Sequence, residues 1–231
     1  MRIHIVDQVE PAVLKIQGML QKIDRLHLPA TSRPDLESIL VRQVGKELDR
    51  LLPWQAGHVQ ETAVVAIRMG FAANLDEELL HQLKLAALLH DIGLLMLPPH
   101  LQTGRAARDL ESYVAIQNHP RFGANLLEPF SFLRDATIMI AHHHERWDGS
   151  GYPYGLRGAF IPLGARILAV ADSFDAIQVP HVRDRSLRYR IALRILRVAS
   201  GTPFDPFIVD LLVEPTLASP GDSLNRRTTA P

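Results

Sequence analysis

Apolar residues recur every three to four positions along most of the chain, which is the spacing of helices that bury one face. The densest stripe begins after His58 and passes through Val59, Ala63, Ala66 and Ile67. No convincing run of alternating apolar and polar residues predicts a sheet. The pattern therefore predicts an all-α fold.

Capping residues mark the ends of several predicted helices. Asp76 is a suitable N-cap for a helix over Glu77–Leu89, and Gly93 lies just beyond its end. Asp205 precedes Pro206, a proline suited to a first helical turn. The other predicted helices are Pro11–Leu28, Asp35–Leu52, a helix that starts near His58, Asp109–Asn118, Pro120–Leu127, Leu133–His143, Leu163–Ile177, Ser186–Ala199 and Pro206–Val213.

The predicted helices divide the chain into three parts. Residues 1–53 form a short helical extension, in which the first ten residues are a short strand or an irregular lead-in, and residues 54–213 form the main helical bundle. Residues 214–231 are rich in Pro, Ser, Thr, Gly and Arg and are predicted to be disordered. Two loops, Gly93–Arg108 and the glycine-rich Trp147–Ile161, separate helices of the bundle, and the second can approach a ligand closely.

The composition limits the classes of function. The 231 residues are 47% hydrophobic and 22% charged, as in ordinary globular proteins, and the formal net charge is zero. No global charge therefore favours a nucleic-acid polymer or an anionic membrane as partner. Without cysteine, a metal site has to use imidazole and carboxylate. The N-terminus lacks the apolar core of a signal peptide, and His90 and Asp91 interrupt the most apolar stretch, so a cytoplasmic protein is expected.

Aspartates on apolar helices are the first candidates for chemistry. Asp91 follows the apolar helix that ends at Leu89, and Asp172 interrupts the apolar run that begins at Ile167. A buried ionised carboxylate is costly unless it is paired or bound to a metal. The alternative is that both aspartates cap neighbouring helices or pair with an arginine such as Arg166.

Adjacent donors in this chain suit a site with two ions. Neighbouring residues on a helix point about 100 degrees apart, so His90 and Asp91 can serve two ions more easily than one, and the same holds for His143 and His144. A bridging carboxylate offsets the repulsion between two cations, and ions roughly 3.5 to 4 Å apart can hold a hydroxide for attack on phosphorus. The donors suit iron, manganese or zinc.

Two segments carry a family resemblance. Residues 89–93 have the sequence LHDIG, and residues 143–153 have the sequence HHERWDGSGYP. With these signatures the chain resembles the HD-GYP family of the HD hydrolase superfamily over residues 58–210. The resemblance implies an HD-type helical bundle with two or three metal ions, usually iron or manganese, and hydrolysis of cyclic di-GMP.

The resemblance also implies roles for individual residues. The implied metal ligands are His58, His90, Asp91, His119, His143, His144 and Asp172. Asp91 is the implied bridge and catalytic residue, while Gly151 and Tyr152 lie on the loop that contacts the substrate. His142 is expected to be structural or exposed, and a ligand role for His100 stays an open alternative.

The cations that would bind the substrate phosphate depart from the family pattern. Leu94 stands where the family has a lysine, and His181 and Asp184 replace basic residues. Arg183 and Arg185 can partly substitute as substrate-binding residues from shifted positions. The alternative is that these arginines belong to a solvated helix face.

The expected function follows from the ligand set and from these departures. Trp54 stands where members with three metals have a glutamate, so we expect two divalent ions, with Trp54 as a core or interface aromatic. The leading hypothesis is a phosphodiesterase that hydrolyses cyclic di-GMP or a related cyclic dinucleotide through a metal-bridging hydroxide. The alternatives are a degenerate module that acts as a nucleotide sensor or protein-interaction domain, and an enzyme for another phosphate ester. A homodimer or a signalling protein is the expected further partner.

Overall fold

The computed structural model describes residues 11–25, 33–103, 109–177 and 183–217. In these ranges the regular structure is helical, and the only β-type pairing is an isolated bridge between Ser200 and Phe204. The predicted all-α fold class is confirmed. The described α-helices, α1 to α10, are Pro11–Asp24, Arg33–Leu51, His58–Ala72, Glu77–Leu89, Leu110–Ile116, His119–Leu127, Arg134–His142, Leu163–Ala176, Arg185–Ala199 and Pro206–Leu217.

Two differences from the prediction concern the segments before and after residues 104–108, which lie outside the described residues. The segment Gly93–Arg108, predicted as a loop, contains most of the 3₁₀ turn Ile92–Met96 and all of the turn Pro99–Leu101. The first turn is largely buried, and its local hydrogen bonds satisfy backbone groups that water cannot reach. Helix α5 is shorter than predicted at both ends. It begins one residue later because Asp109 is its N-cap, accepting from the backbone N–H of Ser112 at 2.7 Å, and it ends at Ile116.

The C-terminal helix also differs from the prediction. Helix α10 continues to Leu217, whereas we predicted disorder from Glu214 onwards. It packs against α3, α8 and α9, and such packing decides the extent of a helix more than local composition does. The predicted lead-in at residues 1–10, the predicted end of the first helix at Leu28 and the tail beyond Leu217 lie outside the described residues.

Helix α4 forms the centre of the core. It packs against α2, α3, α7 and α8, and its residues Leu83, Leu85 and Leu89 are fully buried. Because α4 has neighbours on several sides, its second half is apolar on more than one face. The stretch Glu77–Met96 has the length and mean hydropathy, 1.3, of a membrane span, but 83% of its most apolar 18-residue window is buried inside the fold.

Helices α1 and α2 belong to the same core. Ile16 and Leu20 of α1 are buried together with Val44 and Leu48 of α2. Helix α1 packs against α2, and α2 packs against α4. The N-terminal helices therefore continue the core, and the division at residue 54 stays a prediction.

The N-cap of α4 allows a direct test of how this central helix is stabilised. Asp76 accepts a hydrogen bond from the backbone N–H of Leu79 at 2.8 Å. We expect Asp76→Ala to lower the free energy of unfolding by about 1 kcal/mol, because a helical N–H loses its partner. Asp76→Asn keeps an oxygen acceptor and serves as the matched control. Urea unfolding measures both variants, and equal midpoints would contradict the capping role.

Candidate metal centre

Six of the predicted metal ligands come together in two groups. The first group consists of His58, His90 and Asp172, and the second consists of His119, His143 and His144. Within each group the ligand atoms lie within 4.8 Å of one another. Each group therefore offers a set of donors for one ion.

Helix ends position most of these side chains. His58 is the first residue of α3 and His119 is the first residue of α6. His90 directly follows the last residue of α4, and His143 directly follows the last residue of α7. Asp172 lies within α8. The groups form only when these five helices pack, since each helix contributes its donors from a different part of the chain.

Asp91 lies between the two groups. Its Oδ2 is 3.3 Å from Nε2 of His90 in the first group, and its Oδ1 is 3.2 Å from Nε2 of His119 in the second. Burial would raise the pKa of Asp91, but the neighbouring His90 and His119 outweigh burial and hold this pKa well below its ordinary value. An ionised carboxylate with one oxygen toward each group has the geometry of a bridging ligand.

Backbone hydrogen bonds orient three of the imidazoles. Nδ1 of His90, His119 and His143 lies 3.0, 2.8 and 2.7 Å from the carbonyl oxygen of Ala87, Ile116 and Ile140, respectively. Because a carbonyl oxygen only accepts, each Nδ1 carries a proton and donates it. Nε2 of each ring is then left to face the centre, which is how metal-binding histidines are usually held.

The nitrogens that face the centre fit a cation. Nε2 of His119 and Nε2 of His143 are 3.4 Å apart. Burial and the neighbouring His144 lower the pKa of His143 well below its ordinary value, so its buried Nε2 holds a lone pair. A buried acceptor is rarely left without a partner, and a divalent ion between these nitrogens would supply one. The donor types and their orientation therefore fit divalent metal ions.

Carboxylates hold His58 on both sides of its ring. Nδ1 lies 2.7 Å from Oδ2 of Asp175, and Nε2 lies 3.1 Å from Oδ1 of Asp172. Burial would lower the pKa of His58, but the hydrogen bonds to Asp172 and Asp175 outweigh burial and raise this pKa to about 10. A carboxylate on the far nitrogen is a common support for a metal-binding imidazole.

The contact between Asp175 and His58 leads to a prediction. We expect Asp175→Ala to weaken divalent metal binding about tenfold to hundredfold, because His58 loses the acceptor that orients its ring. Competition against a metal-sensitive dye measures this affinity. Asp210→Ala, which removes an exposed carboxylate of α10, is the control. Equal affinities of the two variants would show that Asp175 does not position His58.

The alternative interpretation of the two aspartates, as helix caps or partners of Arg166, is wrong. Nη1 of Arg166 donates to Oδ2 of Asp205 at 2.6 Å. Asp91 occupies the N-cap position of a 3₁₀ turn, but its side chain makes no capping hydrogen bond there. Asp172 contacts His58 instead. Both carboxylates therefore face the histidines.

Two further histidines lie outside the groups. His142 is half-buried, with Nδ1 3.9 Å from Oε1 of Glu145 and its ring 5.1 Å from that of Tyr154. His100 is exposed in the turn Pro99–Leu101. Neither histidine joins a ligand group within the described residues.

The glycine-rich loop places Tyr152 against the second group. The Tyr152 ring stacks on His144 with centroids 5.0 Å apart, and its backbone N–H donates to the carbonyl of His144 at 3.2 Å. Burial raises the pKa of the Tyr152 phenol above its ordinary value, so the hydroxyl stays protonated at neutral pH. Tyr152 is thereby held beside the candidate ligands as a hydrogen-bond donor.

Glu145 and Gly151 shape this loop. The buried Glu145 carboxylate accepts from the backbone N–H of Tyr154 at 2.7 Å and of Leu156 at 2.9 Å. A Cβ at position 151 would lie 2.3 Å from the backbone nitrogen of Arg146, so only glycine allows this close approach. Gly151 therefore has a packing role, while its predicted contact with substrate stays a prediction.

The predicted phosphate-binding arginines lie at the start of α9. Arg183 and Arg185 are exposed. Asp184, between them, is the N-cap of α9 and accepts from the backbone N–H of Ser186 at 2.8 Å. This capping role accounts for an acidic residue at position 184. His181 lies outside the described residues, and the substrate role of the two arginines stays a prediction.

A cleft of about 1060 Å³ opens onto both groups. Donors from each group line it, and Asp91, Tyr152 and the buried Leu94 line it as well. This volume lies at the upper end of the range of small-molecule sites. The cleft can therefore admit a ligand of nucleotide size to the histidines.

Two residues of the centre are missing from the sequence-based set. Asp175 follows Asp172 by three positions on α8, so helical spacing could have placed it on the same face. Gln55 donates a side-chain hydrogen bond to Oδ2 of Asp91. No local pattern indicates this second contact, because it joins segments that meet only in the folded chain.

Comparison of this sequence with known proteins finds a matching family and named relatives. The family model of the HD domain matches residues 42–208, beginning inside the predicted extension. The chain is 39% identical over 144 residues to the cyclic di-GMP phosphodiesterase response regulator RpfG of Xanthomonas campestris, covering 61% of this chain and 38% of that protein. It is 32% identical over 159 residues to the 3′3′-cGAMP-specific phosphodiesterase 2 of Vibrio cholerae, covering 68% of this chain and 30% of that protein. The chain thus spans well under half the length of these relatives.

Solved structures share the fold. The cyclic GMP-AMP-specific phosphodiesterase V-cGAP3 of V. cholerae has a TM-score of 0.56 at 22% identity, covering 90% of this chain and 49% of that chain. An HD-GYP protein of Bdellovibrio bacteriovorus, Bd1817, has a TM-score of 0.58 at 16% identity, covering 89% and 70%. At these identities the likeness concerns the fold alone. The matched family model and the two sequence signatures show that the chain belongs to the HD domain family and is of the HD-GYP type.

Proposed function

We propose that this chain is a metal-dependent phosphodiesterase that hydrolyses cyclic di-GMP or a related cyclic dinucleotide. The observation that carries the proposal is the position of Asp91, whose two carboxylate oxygens contact His90 of one group and His119 of the other. The substrate class is supported by relatives named as phosphodiesterases of cyclic di-GMP and of 3′3′-cGAMP.

The proposed cofactors are two divalent ions, iron or manganese. The seven residues proposed as their ligands are His58, His90, Asp91, His119, His143, His144 and Asp172. Mixed imidazole and carboxylate donors suit these metals. Trp54 offers no carboxylate for a third ion, and this supports a count of two.

The protein side chains set the charge of the centre. When bound, the two ions would supply a hydroxide nucleophile and stabilise charge on the phosphate oxygens. Asp91, whose pKa lies well below its ordinary value, stays ionised at neutral pH and brings one negative charge between the groups. Burial lowers the pKa of His143 well below its ordinary value and that of His144 to about 4, so both rings stay neutral. Neutral imidazoles supply donors without adding positive charge.

The glycine-rich loop and the start of α9 are proposed to contact the substrate. The protonated phenol of Tyr152 can donate to a phosphate oxygen or pack against a base. Gly151 allows the loop to approach the ligands closely. Arg183, which precedes α9, and Arg185, its first residue, are the proposed substrate-binding cations. Both are exposed and can reach an anionic ligand.

Direct assays test the proposal. Protein purified without oxygen and loaded with Mn²⁺ or Fe²⁺ is incubated with cyclic di-GMP, 3′3′-cGAMP and cyclic di-AMP, and linear products are separated by chromatography. We expect metal-dependent hydrolysis of at least one of the first two nucleotides. Elemental analysis of the same sample reports the metal content. If neither the Mn²⁺-loaded nor the Fe²⁺-loaded protein hydrolysed any of the three cyclic dinucleotides, the proposal would be overturned.

The alternative of a sensor or interaction module without catalysis is not favoured. All three histidines of the second group approach one another, and Asp91 connects them with the first group. The relatives matched in sequence are named as phosphodiesterases, which favours catalysis at this donor set. A role in signalling, with a signalling protein or a second copy of the chain as partner, is a further proposal, supported by a relative named as a response regulator. A cytoplasmic location is proposed as well.

A further inference from the structure

The cleft at the metal centre extends beyond the proposed ligands onto helix α2. Its walls include Lys46 and Asp49 of α2 and Trp54 in the 3₁₀ turn Pro53–Gln55. The two family signatures, at residues 89–93 and 143–153, lie elsewhere in the chain, and Trp54 lacks the carboxylate that family members with three metals have at its position. All three lie within residues 46–54, and this part of the cleft lining is called the α2 wall.

Lys46 brings positive charge to this wall. Among the described residues that line the cleft it is the single lysine or arginine, whereas five carboxylates line it: Asp49, Glu61, Asp91, Asp172 and Asp175. Lys46 is exposed, and no salt bridge to it occurs within the described residues. Asp49 is already engaged, since it accepts from the backbone N–H of Gly57 and from the side chain of Gln60. The ammonium of Lys46 is therefore available to an anionic ligand.

Trp54 brings an aromatic surface to the same wall. Its indole Nε1–H donates to the carbonyl oxygen of Gln102 at 2.7 Å, which holds one edge of the ring. The side chain is nevertheless 47% exposed, although indole is a large apolar group. The sequence predicted Trp54 as a core or interface aromatic. Its exposed position at the cleft suits contact with a ligand instead. A held, exposed ring is a stacking surface for a flat aromatic ligand.

We infer that Trp54 and Lys46 form a substrate subsite in which the indole stacks on a purine base and the ammonium contacts a phosphate. This inference rests on the proposed function, because it names the parts of the nucleotide that this wall recognises. A purine nucleotide carries an aromatic base and an anionic phosphate within one ligand, and the wall offers a complement to each. Leu94, on the same cleft, offers neither.

Fluorescence tests the stacking directly and without turnover. The chain has two tryptophans, so in a Trp147→Phe protein all indole emission comes from Trp54. The metal-loaded variant is titrated with the bis-phosphorothioate analogue of cyclic di-GMP, which resists hydrolysis, while calorimetry measures binding in parallel. We expect quenching of Trp54 emission that saturates together with the heat of binding. Binding without a change in emission, or no binding at all, would overturn the subsite.

Kinetics tests whether the stacking favours nucleotides over other phosphodiesters. We expect Trp54→Ala to raise KM for cyclic di-GMP about tenfold with a smaller change in kcat. The ratio of kcat/KM for cyclic di-GMP to that for methyl p-nitrophenyl phosphate, which carries no nucleobase, should fall by a similar factor. Trp54→Phe keeps a ring and should recover most of the loss. An equal loss on both substrates would mean that Trp54 serves only the structure.

Salt dependence tests the phosphate contact. We expect Lys46→Gln to raise KM for cyclic di-GMP about fivefold at low ionic strength and less at high ionic strength, because salt screens an exposed contact. Lys46→Arg keeps the charge, and Lys22→Gln removes an exposed charge on α1 as the matched control. Equal KM values for Lys46→Gln and Lys22→Gln would overturn the role of Lys46.

The outcomes separate the subsite from the proposed function. Quenching by the analogue without turnover of cyclic di-GMP, 3′3′-cGAMP or cyclic di-AMP would support the subsite and reject the phosphodiesterase. Metal-dependent turnover with unchanged KM in both variants would support the phosphodiesterase and reject the subsite.

Discussion

Replacing Asp91 by alanine should remove most of the metal and lower hydrolysis of cyclic di-GMP at least about hundredfold, because both groups lose the carboxylate between them. Two cations held by neighbouring imidazoles repel one another, and without Asp91 no bridging carboxylate would offset this repulsion. Elemental analysis and a chromatographic assay on the same preparation measure the two losses together. We expect them to occur in parallel.

Two further variants make the Asp91 result specific. Asp91→Asn has nearly the same shape but carries no charge, so it should lose metal and activity almost as fully as Asp91→Ala. Asp210→Ala removes an exposed carboxylate of α10 and should leave both unchanged. Full metal content and activity in Asp91→Asn would show that the negative charge between the groups is not required.

Replacing Gly93 by alanine should destabilise the fold and displace one ligand of the metal centre. A Cβ at this position would lie 1.9 Å from the carbonyl oxygen of His119 and 2.5 Å from the backbone nitrogen of Gly123. Both atoms belong to the backbone of α6, so the helix has to move and takes His119 away from its group. We expect the free energy of unfolding to fall by about 3 kcal/mol and metal content to fall as well. Denaturant unfolding and elemental analysis measure these effects.

Gly18→Ala is the matched control for Gly93→Ala. No atom lies within 4 Å of a Cβ built at Gly18, which is in the interior of α1. Alanine there should leave stability unchanged or raise it by up to about 1 kcal/mol, since glycine is the poorer helix former. If both alanine variants were as stable as the parent protein, the close approach of α6 to Gly93 would not contribute to stability.

Local patterns in the sequence predicted most of the secondary structure. The spacing of apolar residues and the cap at Asp76 predicted α4 with both of its observed ends. Both signals act within one or two turns of chain, so they can be recognised without knowledge of the fold. The prediction was wrong for the turn Ile92–Met96 and for the extension of α10 to Leu217, where packing against other helices decides the backbone.

The sequence by itself determined the all-α class and proposed the ligand residues, because helical periodicity and short signatures are properties of neighbouring residues. Only the tertiary structure decided that Asp91 lies between two groups, that Asp175 supports His58, and that Lys46 of α2 shares a cleft with them. These contacts join residues from separate helices, and their distances depend on how whole helix faces pack. Such packing is set by many buried side chains together, so no short motif carries it.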